Sequence, residues 1–228
     1  MGTGLVNQPS FFTPSPPGPE RGIAGSPTLA RVAGTVGAGR SRRSEYLLVI
    51  YPHGELQDKL LEEQQRFSSD YGMQMTVRNK PHITVAAFQA GEAMENTLIR
   101  WIQRICGRHR SFEMTLNNYS GFPPHTIYLR ILDQQPFLQL AQQLSAIDDF
   151  IRSSGCPPVN LIGRPYLSIA GSLTEKVYSK AMPDYSRKTF HGSFQVNELV
   201  LLKREHAFDS CTTVNIFHLL PELHQPCS

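Results

Sequence analysis

The sequence predicts an α+β domain built from two pseudo-repeated halves. Three observations predict it. The stretch Lys80-Pro81-His82-Ile83-Thr84-Val85 returns 84 residues later as Arg164-Pro165-Tyr166-Leu167-Ser168-Ile169, and an alanine follows each copy, Ala86 and Ala170. Strand-like apolar runs alternate with helical periodicities through both halves. The first 43 residues stand apart, with eight glycines, six prolines and no periodic apolar positions.

Such a leader buries too little apolar surface to offset its ordering entropy. Residues 1–43 are therefore expected to be a disordered Gly/Pro-rich extension, and residues 44–228 a single domain of ordinary size. The leader's arginines, serines and single acid also match an organellar transit peptide or a start placed upstream. It holds five arginines against Glu20, a net +4 in a chain of net +3, so the remainder is close to −1. A core without net positive charge argues against tight, sequence-independent binding to a nucleic-acid backbone.

Cys106, Cys156, Cys211 and Cys227 are scattered, with no C-x-x-C pair for zinc or redox work and no dense disulfide framework. They read as reduced thiols of a cytoplasmic protein. No apolar run is long enough to span a membrane, and the leader lacks the apolar core of a secretory signal. A monomer without a membrane partner is expected.

The elements follow in order. Glu45–Tyr51 is an apolar run closed by Pro52 and Gly54, a buried strand. Residues 55–69 carry Leu56, Leu60, Leu61 and Phe67 among charges, a helix with an apolar stripe. Met73, Met75 and Val77 alternate with polar residues as an edge strand. His82–Phe88 is the first motif strand. Residues 92–106 set Met94, Leu98, Trp101, Ile102 and Ile105 at helical spacing. Phe112, Met114 and Leu116 alternate as a strand, and a Gly-Phe-Pro-Pro turn leads into a strand over His125–Ile131. Pro136–Ser153 is one long helix with Phe137, Leu140, Ala141, Leu144, Ile147 and Ile151 inward. Tyr166–Ile169 is the second motif strand, residues 173–182 a short helix, and Phe194–Lys203 and Thr212–Leu219 two closing strands.

On a strand, alternate side chains share a face. His82 and Thr84 therefore point one way, with Ile83 and Val85 behind, and Tyr166 and Ser168 do the same in the second copy. Two such strands side by side would place a ring and a hydroxyl from each in one groove. A neutral imidazole moves a proton near pH 7, and a hydroxyl donates to an anionic oxygen. That set suits in-line attack at phosphorus. No H-x-x-x-H or carboxylate cluster offers a metal site, and no cofactor is called for.

The doubled motif resembles that of the two-histidine phosphoesterases, the 2′-5′ RNA ligase-like or cyclic phosphodiesterase family. Its mark is His-x-Thr/Ser-x twice, each copy on a strand lining a bilobal groove. The resemblance covers about residues 45–220. It implies antiparallel sheets around a central groove, with helices outside. It also implies a metal-independent phosphodiesterase on 2′,3′-cyclic phosphates or 2′-5′ linkages, with RNA ends or small nucleotide phosphodiesters as partners. His82 and Tyr166 would occupy the acid–base positions, and Thr84 and Ser168 would hold the phosphate.

The departure is Tyr166, where the family has its second histidine. A phenol titrates near pH ~10, against about 6.5 for imidazole, so it can donate but is a poor base. The resemblance thus leaves a nucleotide-binding module and a 2′-5′ RNA ligase as alternatives. His82 alone would read as an ordinary strand histidine; the second copy raises it to a site residue. Tyr166 stays open between a packing ring and a groove hydroxyl. Lys80, Arg164, Lys203 and Arg204 read as solvated charges. His125 follows Pro-Pro near a strand start and is a minor groove candidate. His53, His109, His191, His206, His218 and His224 have no patterned partners.

Overall fold

A computed structural model describes residues 43–72, 80–205 and 209–222, all of which belong to one compact unit. The expected extension over 1–42, the strand at Met73–Val77, and His206, His224 and Cys227 lie outside the described residues. Position 43 is not extension: Arg43 opens the first strand and pairs with Gly91.

Two antiparallel sheets form the frame. The larger uses β1 (Arg43–Ile50), β2 (Ile83–Gly91), β5 (Asn160–Leu161), β8 (Glu198–Arg204) and β9 (Thr212–His218) in the order β5-β2-β1-β8-β9. The smaller uses β3 (Phe112–Phe122), β4 (Thr126–Ile131), β6 (Tyr166–Ala170) and β7 (His191–Val196) in the order β6-β4-β3-β7. The first motif strand therefore lies inside the larger sheet and the second at an edge of the smaller one. β2 and β6 nonetheless approach one another, and α1 (Glu55–Tyr71) packs on β6.

Each helix buries one stripe. In α1 the buried positions are Leu56, Leu60, Glu63 and Phe67, spaced by three or four residues. Phe67 packs on Tyr185 of α5 (Glu175–Tyr185), and Tyr185 packs on Tyr119 of β3. These contacts close one face of the smaller sheet. α2 (Glu95–Cys106) packs on β9 and α3 (Gln135–Leu144) on β2, over the larger sheet. α5 starts where Thr174 Oγ1 accepts from the Val177 amide at 3.4 Å, an N-cap.

Two expected elements divide. The helix over Pro136–Ser153 is α3, a 3₁₀ turn at Ser145–Ile147, and α4 (Asp148–Ser153). The Ser145 hydroxyl donates back to the Gln142 carbonyl at 2.6 Å, and Asp148 accepts from the Val159 amide at 2.7 Å. These side-chain bonds draw the backbone out of a continuous helix. The inward residues expected of it are all buried. The strand over Phe194–Lys203 is also two strands, β7 and β8, in different sheets. Phe194 and Val196 are buried at even positions, Leu199 and Leu201 at odd ones, and exposed Asn197 and Glu198 lie between. The alternation slips by one residue where the chain changes sheets.

Lys203 and Arg204 are not solvated ends. Lys203 pairs with Glu95 at 2.9 Å, and Arg204 grips Glu45 through two nitrogens at 2.7 and 2.9 Å. The Arg204 pair joins β8 to β1, the Lys203 pair joins β8 to the start of the helix over 95–106, and Glu95 also accepts from Tyr46 Oη of β1 at 2.8 Å. The described cysteines, Cys106, Cys156 and Cys211, are free thiols. No helix among the described residues is long and apolar enough to cross a membrane.

Candidate active site

The two motif copies have the same burial register. Lys80 and Arg164 are exposed, Pro81 and Pro165 buried, and His82 and Tyr166 half-buried. Ile83 and Leu167 are buried, Thr84 and Ser168 half-buried, and Val85, Ala86, Ile169 and Ala170 buried. The period of two therefore holds in both copies: ring and hydroxyl point to the open face, aliphatics to the core. Lys80 and Arg164 are surface charges, as their composition implied.

His82 precedes the first residue of β2 and is held by its own loop. Its Nδ1 lies 2.9 Å from the Lys80 carbonyl oxygen. A carbonyl only accepts, so Nδ1 carries the proton and donates. In the neutral ring Nε2 is then the bare base. Burial pushes the imidazole below its ordinary value of 6.5, and the Lys80 hydrogen bond offsets part of that shift. The ring also meets Tyr51 edge-on, with centroids 6.0 Å apart. Thr84 pairs across the sheet with Val49, and Val49 with Val200. Around Thr84 the open face is apolar: Val49, Val200 and Leu202 form a small buried cluster, flanked by Leu47, Tyr51 and Cys211.

The second copy has different neighbours. Tyr166 pairs with Arg130 and Ser168 with Tyr128, both on β4. The Tyr166 ring lies 5.1 Å from Phe122 and 5.2 Å from Tyr128, and those two stack at 4.3 Å. Tyr166 is therefore a packing residue of an aromatic trio while remaining part-exposed. Burial, and then the nearby Tyr128 phenol, push its hydroxyl above the ordinary value of 10.0. It stays protonated at neutral pH and can donate but not act as base. Because β6 is an edge strand, the Ser168 carbonyl lacks a strand partner on one side; Gln64 Nε2 of α1 donates to it at 3.2 Å. That bond ties the second motif to the first half of the chain.

Three other histidines are held locally. His125 sits at the β3–β4 turn, its Nδ1 donating to the Leu173 carbonyl at 3.2 Å. His53 bonds the Gln195 carbonyl at 3.0 Å and packs edge-on to Phe194. His109 is buried against Phe112. Sequence reasoning missed Tyr51, Gln64, Phe122, Tyr128 and Arg130 as neighbours of the motifs. The alternation in Ile127-Tyr128-Leu129-Arg130-Ile131 held the signal for two of them, since Tyr128 and Arg130 fall opposite the three aliphatics.

This is the α+β fold of the two-histidine phosphoesterases. The comparisons agree: residues 56–207 match the family model of the 2′-5′ RNA ligase superfamily, and the chain belongs to that superfamily. The structure resembles that of LigT from E. coli complexed with 3′-AMP, at TM-score 0.61 and 18% identity, covering 78% of this chain and 98% of LigT. It also resembles a phosphoesterase at TM-score 0.57 and 17% identity, covering 78% of this chain and 98% of that one. A third likeness is the protein TT0787 of Thermus thermophilus, at TM-score 0.53 and 15% identity, covering 78% of this chain and 99% of that one. At these identities the likeness is one of fold. No curated protein matches the chain by sequence.

Proposed function

We propose that this protein is a metal-independent phosphodiesterase acting on 2′,3′-cyclic phosphates or 2′-5′ linked nucleotides and RNA ends, with a single acid–base group. In this reading it works as a cytoplasmic monomer. The observation that carries the proposal is the tautomer lock at His82. A half-buried imidazole with Nδ1–H committed to the Lys80 carbonyl holds Nε2 free and unprotonated at neutral pH. Family membership and LigT's capture of 3′-AMP support the substrate class.

The roles follow from the chemistry of the side chains. Thr84 and Ser168 hydroxyls donate to the non-bridging phosphoryl oxygens from the two motif strands. His82 Nε2 takes a proton from the attacking water as its oxygen bonds to phosphorus. The P–O bond to one ribose oxygen breaks, that oxygen takes a proton from solvent water, and the His82 imidazolium returns its proton to solvent. The Tyr166 hydroxyl can hydrogen-bond the leaving oxygen but is a weaker acid than an imidazolium. Turnover is therefore slow.

A second reading is a nucleotide-binding module. The packing of Tyr166 against Phe122 and Tyr128 favours it, because a ring committed to stacking need not serve chemistry. Joining of 2′-5′ RNA ends would use the same groups in reverse. The deciding experiment is turnover of a 2′,3′-cyclic nucleotide and a 2′-5′ dinucleotide in EDTA, with 3′-AMP binding measured alongside. Slow turnover that survives EDTA is expected. Binding without turnover would establish the module instead, and neither would leave only the fold.

A further inference from the structure

The second motif offers no group that becomes a cation at working pH, yet a phosphodiester is an anion throughout. One side chain on the same face supplies a permanent charge. Arg130 lies on β4, an interior strand of the smaller sheet, and is exposed. Its register partner on one side is Tyr166, and on the other Asn117 of β3. Register partners share a face, with Cβ atoms about 5 Å apart, so Arg130, Tyr166, Ser168 and Tyr128 all project from the open side.

Six other cations of the domain are occupied, while Lys80 and Arg164 lie exposed just ahead of the two motif strands. Arg66 and Lys188 pair with Glu63, Arg152 with Asp148, Lys203 with Glu95 and Arg204 with Glu45, while Arg43 donates to the Gly155 carbonyl. Among the described residues Arg130 has no hydrogen-bond or ion-pair partner. An exposed, unpaired guanidinium beside the site's ring and hydroxyl, on an interior strand, is free to accept a ligand. Its planar fork matches two oxygens of one phosphate.

We infer that Arg130 is the phosphate-binding cation of this site, contacting the phosphate of a nucleoside mono- or diester from the β4 side while Ser168 donates from β6. The inference rests on the proposed function for its ligand class. A fixed charge contacts ground state and transition state alike, so it lowers KM rather than raising kcat.

The test is Arg130→Gln and Arg130→Lys against the native chain, with 3′-AMP binding by calorimetry at low and moderate salt, cyclic-nucleotide turnover, and thermal melts. Arg130→Gln should weaken 3′-AMP about 10- to 100-fold and raise KM in step, with kcat within about three-fold. Arg130→Lys should fall between the two, and the salt dependence of binding should shrink in Arg130→Gln. Melting should be unchanged, because the side chain is exposed and unpaired. A loss of binding under three-fold in Arg130→Gln, or Arg130→Lys binding no better than Arg130→Gln, overturns the inference and leaves the proposed function standing. If the native chain neither binds 3′-AMP nor turns over the cyclic nucleotide, the inference and the proposed function fall together; if it turns over without binding 3′-AMP, an unchanged KM in Arg130→Gln overturns the inference alone.

Discussion

The two motif strands have the same sequence pattern and the same burial register, but their open faces differ. Beside His82 and Thr84 the larger sheet presents an apolar cluster of Val49, Val200 and Leu202, with Tyr51 against the imidazole. Beside Tyr166 and Ser168 the smaller sheet presents stacked rings and a guanidinium, Phe122, Tyr128 and Arg130. The backbone repeat thus positions equivalent side chains, while cross-strand neighbours decide what each can do. In the first copy burial without a counter-charge favours a neutral base. In the second, burial against rings keeps a phenol protonated.

The largest expected effect tests whether the chemistry is one-sided. General acid–base help is worth roughly 10²–10⁴-fold per group. His82→Ala should remove that factor and abolish detectable turnover, while 3′-AMP affinity stays within a few-fold because both hydroxyls remain. Equal activity in His82→Ala and the native chain would show that the lock on Nδ1 serves packing alone.

The second test asks whether the copies are equivalent behind the sheets. Ile83 and Leu167 are both fully buried. Truncating either to alanine should cost about 2–5 kcal/mol in urea or thermal unfolding, by lost transfer energy plus a cavity. Similar costs would confirm that the difference between the copies lies in the open faces. A negligible cost at Leu167 would show that the edge strand β6 moves to fill the cavity.

This equivalence behind the sheets was legible in the sequence, because the period of two fixes which side chains face the core wherever the strand lies. What surrounds each copy was not. Phe122 and Tyr128 come from other strands, and only the pairing of β6 with β4 and of β4 with β3 brings them to Tyr166. The pairing of Lys203 with Glu95 and of Arg204 with Glu45 likewise depends on residues over a hundred positions distant. The change of sheet at Asn197 was written in the sequence as a slip from even to odd apolar positions. A continuous apolar run masked it.

The third test moves the copies toward one another. Tyr166→His restores an imidazole to the second strand and should raise turnover on the order of 10²-fold, with affinity within a few-fold. The pH profile should change with it. In the native chain the rate should rise through the lowered pKa of His82, below 6.5, and stay level until the phenol ionises above 10. A second imidazole acting as acid adds a falling limb and makes the profile a bell. A slower Tyr166→His protein would show that the phenol, or its stacking on Phe122 and Tyr128, has its own part in the reaction.

The smallest effect is on stability, and its sign differs between the copies. Stability rises with pH wherever the unfolded chain binds more protons than the folded one. The His82 imidazole titrates near 6.5 when unfolded and lower when folded, because burial disfavours its charge. Between those values the unfolded chain holds a proton that the folded chain does not. Its contribution is therefore intact above about 6.5 and lost as pH falls through 6.5 toward the folded value. Tyr166 runs the other way. Its phenol titrates near 10.0 when unfolded and higher when folded, so above 10.0 the folded chain holds the extra proton. Its contribution is intact below 10.0 and lost as pH rises through 10.0 toward the folded value. Other buried histidines and tyrosines share these slopes, His109 and Tyr119 among them, so the native profile alone cannot separate them. The difference between variants can: His82→Gln should lose less stability than the native chain from pH 7.5 to 5, and Tyr166→Phe, which keeps the ring in its trio, less from pH 9 to 11. Parallel curves for native and His82→Gln would show that the imidazole is as well solvated in the fold as in the unfolded chain. Its Nε2 would then have no special claim to be a free base at neutral pH.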